Sequence, residues 1–297
     1  MRTRLTLRFV ILSCLLIPGY RGGTAPAAGY LSAAGIVVLS DGTSGSGFYW
    51  NQQGRIYFVT ARHLLYQTNK EAHGSTFQLR GDRALVRSPA TAGPRVTLLS
   101  LDLHKLEVDK RTRFHPFHDV AVIEVGTVGT DPAKVSPLLS PGVRALVDKS
   151  TNAELPSPVT TFRALKQLIA GTGCFFIGYA TSLEAEAYSR AGVESSQPWT
   201  RVGRIMAVNY REGTILVGTR VYQGDSGAPV FELGDSPHGI WRGRLIGVVS
   251  GYAKRRPTED DDADDASGAL WNAEYTVVES ADYVAELTAE NGQLAVR

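Results

Sequence analysis

The chain is poor in cysteine, with two in 297 residues, Cys14 and Cys174. Cys14 lies in an N-terminal segment that reads as removable, so the rest of the chain has no cysteine pair. That excludes a small disulfide-stapled fold and leaves stability to a hydrophobic core. Cys174 stands in the apolar run Gly173-Cys174-Phe175-Phe176-Ile177 and reads as a buried, inert thiol rather than a nucleophile. Net charge is also small. The formal charge is +2, and Arg2, Arg4, Arg8 and Arg21 precede residue 28 with no acid among them. Without those four charges the balance becomes −2, so the sequence makes no case for a nucleic-acid partner or an anionic membrane. Long apolar runs are missing as well, and none reaches the roughly 20 residues that span a bilayer.

What is present is a core-sized apolar content of 43%, charged residues at 20%, and 31 glycines, which suit a chain with many turns. At the N-terminus, arginines flank a short apolar run, Phe9 to Ile17. Pro18 and Gly19 break it, and Ala25-Pro26-Ala27 follows. This is the layout of a secretory signal peptide cut near Ala27. A secreted or periplasmic protein with no stable membrane association after cleavage is expected. Ile11-Leu12-Ser13-Cys14 loosely resembles a lipid-attachment box, but apolar residues continue after the cysteine. The acidic run Glu259 to Asp265 lacks the glycine and distal glutamate of a Ca²⁺ loop and reads as a solvated surface segment.

Alternation of apolar residues at period two recurs between turn residues, so most of the chain reads as strands. Gly47 to Trp50 and Arg55 to Thr60 form a candidate hairpin around Asn51-Gln52-Gln53-Gly54. Further strands are expected at 76–79, 96–103, 120–125, 174–179, 201–210, 214–219, 229–233, 245–250 and 275–279. A Pro/Ser-rich stretch from Asp131 to Leu155 reads as the linker between halves. Residues 280–290 have helical spacing and a Ser280 cap. The expected organisation is a signal segment 1–27, a first β unit 28–135 and a second β unit 136–297 with the helix. Periodicity alone leaves barrels and a sandwich both open.

Gly-Asp-Ser occurs twice, at Gly224-Asp225-Ser226 and Gly234-Asp235-Ser236. Nucleophilic acyl transfer needs an exposed hydroxyl on a tight turn, a histidine base, a carboxylate behind it, and N–H groups aimed at the oxyanion. Ser226 fits. Gly224 can take φ > 0 and aim its N–H together with that of Ser226. Gly227 clears the space behind the hydroxyl, and Pro229 leads into the apolar Val230-Phe231. Ser236 precedes Pro237 in a polar setting and reads as a turn. Six histidines are available. His63 follows the strand ending at Thr60, while His73, His104, His115, His118 and His238 sit in polar contexts and read as solvated. Asp119 stands at the mouth of the apolar Val120-Ala121-Val122-Ile123, where an acid needs a partner. Asp102 and Asp109 are weaker candidates.

Thr60-Ala61-Arg62-His63, His118-Asp119-Val120-Ala121-Val122 and Gly224-Asp225-Ser226-Gly227-Ala228-Pro229, in that order, resemble the signature segments of the chymotrypsin-like (trypsin-fold) serine proteases. Ser44-Gly45-Ser46-Gly47-Phe48 resembles a segment of the bacterial Deg-type and glutamyl-endopeptidase-like branches. The resemblance spans about residues 33–288. It implies an all-β fold of two six-stranded antiparallel β-barrels with a C-terminal helix, and a protein or peptide substrate. It implies Ser226 as nucleophile, His63 as base then acid, Asp119 as orienting carboxylate, and the Gly224 and Ser226 N–H groups as oxyanion hole. Ser250 and Gly251 resemble the edge that docks substrate backbone. Arg220, six before the nucleophile, would lie at the base of the specificity pocket and favour acidic side chains. No metal or cofactor is called for. The mature N-terminus has no Ile-Val-Gly-Gly activation sequence, so a partner for Asp225 is not given by the resemblance. A catalytically silent binding protein on this fold, or a serine esterase, are the alternatives.

Overall fold

Gln53 and Gly54 take φ of 53° and 83°, the pair of left-handed residues that closes a tight hairpin. Asn51 Oδ1 holds the turn by accepting the Gly54 N–H at 3.0 Å. The hairpin joins β2 (Ser44–Gln52) to β3 (Arg55–Thr60), with Gln52 opposite Arg55 and Gly47 opposite Thr60. The computed structural model describes residues 28–71, 74–89, 96–128, 138–147, 151–152, 155–156, 158–179, 198–233, 243–253 and 275–289. The signal segment, Ser236, His73, His238 and the acidic run lie outside the described residues. A short helix α1 (Ala28–Ala33) leads into β1 (Ala34–Leu39), which pairs with β2.

The first unit continues with a short helix α2 (Arg62–Leu65), a separate β4 (Tyr66–Glu71)–β5 (Gly74–Leu79) hairpin, β6 (Arg83–Pro89) and β7 (Val96–Asp102). Helix α3 (Leu103–Val108) follows, capped by Asp102, whose carboxylate accepts the Lys105 N–H at 3.0 Å. The candidate Asp102 is thus a helix cap, and Asp109 ends the same helix. Next come β8 (Thr112–Phe114) and β9 (Ala121–Thr127). The residues expected to link the halves pair instead with this sheet. β10 (Leu138–Leu139) adds to β9, while β11 (Val143–Ala145) and β12 (Thr151–Asn152) add to β7. The sheet's open edges, bare backbone donors and acceptors, recruit these short strands beyond residue 135. Among the described residues the first unit is a ten-stranded half-barrel sheet, with central order β9-β3-β2-β1-β6-β7.

The second unit is a closed six-stranded barrel of β13 (Gly173–Gly178), β14 (Trp199–Asn209), β15 (Thr214–Val217), β18 (Tyr275–Ser280), β17 (Leu245–Ala253) and β16 (Pro229–Glu232). Helix α4 (Ala281–Thr288) starts at Ser280, whose hydroxyl accepts the Asp282 N–H at 3.2 Å.

One cluster of buried side chains fills each unit, and a third joins them. Phe48, Trp50 and Val122 of the first unit pack there with Phe175, Phe231 and Val248 of the second. Val284 and Leu287 of α4 enter the same cluster, so the helix seals the junction. Cys174 is buried in the second interior, and burial pushes its thiol up to about 12, as expected of an inert core residue. Among the described residues, no helix is long and apolar enough to cross a membrane.

Candidate active site

β3 ends at Thr60, Ala61 stays extended, and α2 begins at Arg62. Leu64 and Leu65 are buried, so the short helix is pinned to the core and His63 is held at its outer face. Arg80 Nε donates to the His63 carbonyl at 2.8 Å. The ring is half exposed, and its Nδ1 lies 2.6 Å from Asp119 Oδ2. The His63 N–H also donates to Asp119 Oδ1, at 2.9 Å, and the Ser250 hydroxyl donates to Oδ2 at 2.8 Å. Burial acts to raise the Asp119 carboxyl, but the ring, the N–H and the hydroxyl outweigh it and hold the group below its ordinary value. An ionised Asp119 fixes the Nδ1–H tautomer and leaves Nε2 as the histidine's proton acceptor.

The Ser226 turn is built from two glycines in the left-handed region, Gly224 at φ 96° and Gly227 at φ 87°. The Asp225 N–H donates to the Tyr222 carbonyl, Gly227 N–H to Val249, and Ala228 N–H to Asp225. Among the described residues the N–H groups of Gly224 and Ser226 have no acceptor, and neither has the Ser226 hydroxyl a partner. Two free backbone donors on one turn are what an oxyanion requires. No hydrogen bond between Ser226 and His63 is formed among the described residues. Their segments nonetheless press together: a Cβ at Gly227 would lie 2.5 Å from Thr60 Oγ1 and 3.0 Å from the Ala61 nitrogen.

Ser46, fully buried, ties the two units at this point. Its N–H donates to the Ser226 carbonyl at 2.7 Å, and its hydroxyl donates to the Gly224 carbonyl at 2.7 Å while accepting the Tyr179 N–H at 2.8 Å. Its own carbonyl accepts from Thr60 Oγ1 at 2.7 Å. Nothing local in Ser44-Gly45-Ser46-Gly47-Phe48 marks this role, because the partners of the Ser46 hydroxyl lie 133 and 178 residues away.

Asp225 also has a partner that the sequence did not reveal. Fully buried, it faces Arg201 of β14, with Nη1 2.5 Å from Oδ2, and Oδ2 accepts the Tyr222 N–H at 2.7 Å. The guanidinium lies 4.5 Å from the Tyr222 ring centroid and 5.3 Å from that of Phe176. Burial raises the Asp225 carboxyl, and Arg201 offsets part of that.

Ser250 and Gly251 lie on β17 beyond Val248↔Pro229, the last β16–β17 partners, so among the described residues this edge of β17 has no strand beside it. A Cβ at Gly251 would meet nothing within 4 Å. Ser250 thus has its hydroxyl committed to Asp119 and its backbone on the open edge. Arg220 is exposed and is 5.9 Å from the Tyr222 ring centroid, not on a buried floor.

Two histidines expected to be solvated are not. His115 is 6% exposed and His118 is largely covered, because α4 packs over both. Tyr283 stacks on His118 at 3.7 Å and 14° and meets His115 at 4.7 Å. Local polarity hid a contact made by residues far along the chain. Among the described residues no group of three or more His, Cys, Asp or Glu could hold a metal ion.

An all-β pair of units, with a histidine–aspartate pair on one and a Gly-Asp-Ser-Gly turn on the other, is the architecture of the chymotrypsin-like serine proteases. The trypsin-like peptidase domain model matches residues 45–240. The chain belongs to that family and is a serine endopeptidase. No curated protein sequence matches it. Similar solved structures include Rv3671c from M. tuberculosis H37Rv in its inactive form, at 16% identity and TM-score 0.45, with 87% of this chain and 86% of that one covered. Protease Anisep from Arthrobacter nicotinovorans is similar at 13% identity and TM-score 0.44, covering 87% and 92%. The serine endoprotease from Yersinia pestis is similar at 14% identity and TM-score 0.43, covering 86% and 61%.

Proposed function

We propose that the chain hydrolyses peptide bonds of protein substrates through Ser226, His63 and Asp119, by way of an acyl-enzyme. The observation that carries this reading is the 2.6 Å pairing of His63 Nδ1 with Asp119 Oδ2 beside a turn with two free N–H groups. Ser226 Oγ attacks the scissile carbonyl carbon as His63 Nε2 takes its proton. Asp119 stabilises the imidazolium. The negative oxygen of the tetrahedral intermediate is received by the Gly224 and Ser226 N–H groups. Its collapse breaks the C–N bond, and His63 returns the proton to the leaving amine. Water, deprotonated by His63, then releases the acid and restores Ser226. The open edge of β17 at Ser250 and Gly251 accepts substrate backbone as an added strand.

The Arg201–Asp225 pair gives the turn the internal counter-charge that a new N-terminus would otherwise have to supply, so the enzyme is active without proteolytic maturation. Arg220 at the rim favours an acidic residue before the cut. The N-terminal arginines and apolar run direct the chain out of the cytoplasm.

Labelling by a fluorophosphonate probe tests the reading. Ser226→Ala should abolish labelling and peptide hydrolysis, and Ser236→Ala should preserve both. A folded wild-type protein that does not label would overturn it in favour of a silent binding protein. Turnover of short esters without any peptide cleavage would shift it to an esterase.

A further inference from the structure

Behind Asp119 lies a second set of buried polar groups that the chemistry above does not use. Glu279, on β18, is 7% exposed. Oε2 of its carboxyl lies 3.0 Å from Nδ1 of His118, the residue before Asp119. His118 is clamped in turn by the stacked Tyr283 ring of α4. Glu279 pairs in the sheet with Val248 on β17, two residues before Ser250, whose hydroxyl reaches the Asp119 carboxylate. The second barrel therefore holds Asp119 at its carboxylate through Ser250 and holds its chain neighbour His118 through Glu279. His63 approaches from the first unit.

The loop that carries Asp119 also meets α4, through His115 with Glu286 and Tyr283 and through His118 with Tyr283. His115 organises it from within: its Nδ1 accepts the N–H groups of Phe117 and His118, at 3.2 and 3.0 Å. Arg62 Nη1 donates to the His115 and Pro116 carbonyls, at 2.6 and 2.8 Å. The charged and titratable groups around Glu279 and its neighbours His118 and Tyr283 are Asp119 and His115 from this loop, Arg62 from α2, Glu212 from the turn before β15, and Asp282 and Glu286 from α4.

Resting on the reading of Asp119 as the orienting carboxylate, we propose that Glu279, with His118, is a positioning residue. Through His118 it fixes the chain beside Asp119 to the barrel that bears Ser226 and so sets the His63–Ser226 approach across the junction. A small displacement of a catalytic group lowers turnover more than substrate binding, so the effect belongs to kcat.

The test uses the full chain with active sites counted by fluorophosphonate titration, so that kcat is read per reactive serine. Glu279→Ala should lower kcat by about 10- to 100-fold with KM within about threefold. Glu279→Gln can still hydrogen-bond His118 Nδ1, through its amide or its carbonyl oxygen, and should return kcat to within about threefold of wild type. A Glu279→Ala kcat within twofold of wild type, a loss confined to KM, or a loss that Gln does not recover would each overturn the proposal. If Glu279→Ala does not fold, His118→Ala takes its place under the same criteria with an expected drop of about 3- to 10-fold. Loss of labelling in the wild type would strike the assignment of Ser226 instead, so the two failures are distinguishable.

Discussion

A single hydroxyl separates two roles at Ser250. If its chief contribution is to bind substrate, it acts through its backbone on the open edge of β17, and truncating the side chain changes little. If it acts by donating to Asp119 Oδ2, truncation removes one of the groups that hold that carboxylate ionised. A hydrogen bond to a charged group contributes about 1.5–3 kcal/mol. Part of that is recovered by water, since Asp119 is 17% exposed at its side chain. Ser250→Ala should therefore lower kcat by about 3- to 30-fold and leave KM nearly unchanged. Steady-state kinetics on a peptide substrate decides this, and a rise in KM with intact kcat would assign Ser250 to substrate binding. Residues of this scale were partly legible in the sequence. Gly224, Ser226 and Gly227 announce themselves because a strained turn must be written into consecutive positions. Arg220 did not, because spacing from the nucleophile says nothing about which way a loop turns its side chain.

At the scale of elements, the turn between β15 and β16 depends on a strand that precedes it. β14 carries Arg201 opposite Phe176 of β13, which points the guanidinium at Asp225 beneath the Ser226 turn. Replacing Arg201 with Met keeps much of the stacking volume but strands a fully buried carboxylate. Removing one partner of a buried pair costs about 3–5 kcal/mol. Arg201→Met should lose stability by roughly that amount, and the rate of fluorophosphonate labelling should fall with it. Adding Asp225→Asn removes the stranded charge while its carbonyl oxygen can still accept the Tyr222 N–H, so most of the stability should return. Chemical denaturation of both variants measures this, and an Arg201→Met stability within about 1 kcal/mol of wild type would sink the idea. Alternation picked out the β2–β3 hairpin and the strands of the second barrel, and helical spacing picked out α4, but β1, β4 and β6 of the first unit went unread. Pairing was not legible. Ser46 contacts a carbonyl 178 residues away, and Arg201 a carboxylate 24 residues away. A period of two says which face a residue is on, not what lies opposite. The stretch after residue 135 looked like a linker because Pro and Ser are common there, yet free sheet edges drew it into the first unit.

At the scale of the whole molecule, the junction between the units and α4 buries two groups whose titrations oppose one another. Burial, with His118 and Arg62 adding to it, lowers His115 from 6.5 to about 4. The neutral ring is also what its Nδ1 needs to accept two N–H groups. Between about pH 4 and 6.5 the unfolded chain binds that proton and the folded chain does not, so this contribution rises with pH and is lost as pH falls below 6.5. Glu279 has the reverse sign. Burial, with Asp119 adding to it, raises it from 4.5 to about 7, so the folded chain keeps a proton that the unfolded chain has shed. Its contribution therefore falls as pH rises from about 4.5 to 7. Each shift corresponds to on the order of 3 kcal/mol at full span. In the wild type the two slopes offset between pH 4.5 and 6.5 and stability there should be nearly flat. Glu279→Gln removes the falling term, so its stability should climb through that window. His115→Asn removes the rising term, and its stability should decline toward pH 7. Denaturant midpoints across pH 4 to 8 for the three proteins measure the slopes. Parallel profiles would mean that neither group titrates in the folded junction as its burial requires. Opposite slopes would show that the contact between α4, β18 and the loop before β9 sets the fold's pH tolerance with the same residues that hold the chain beside Asp119.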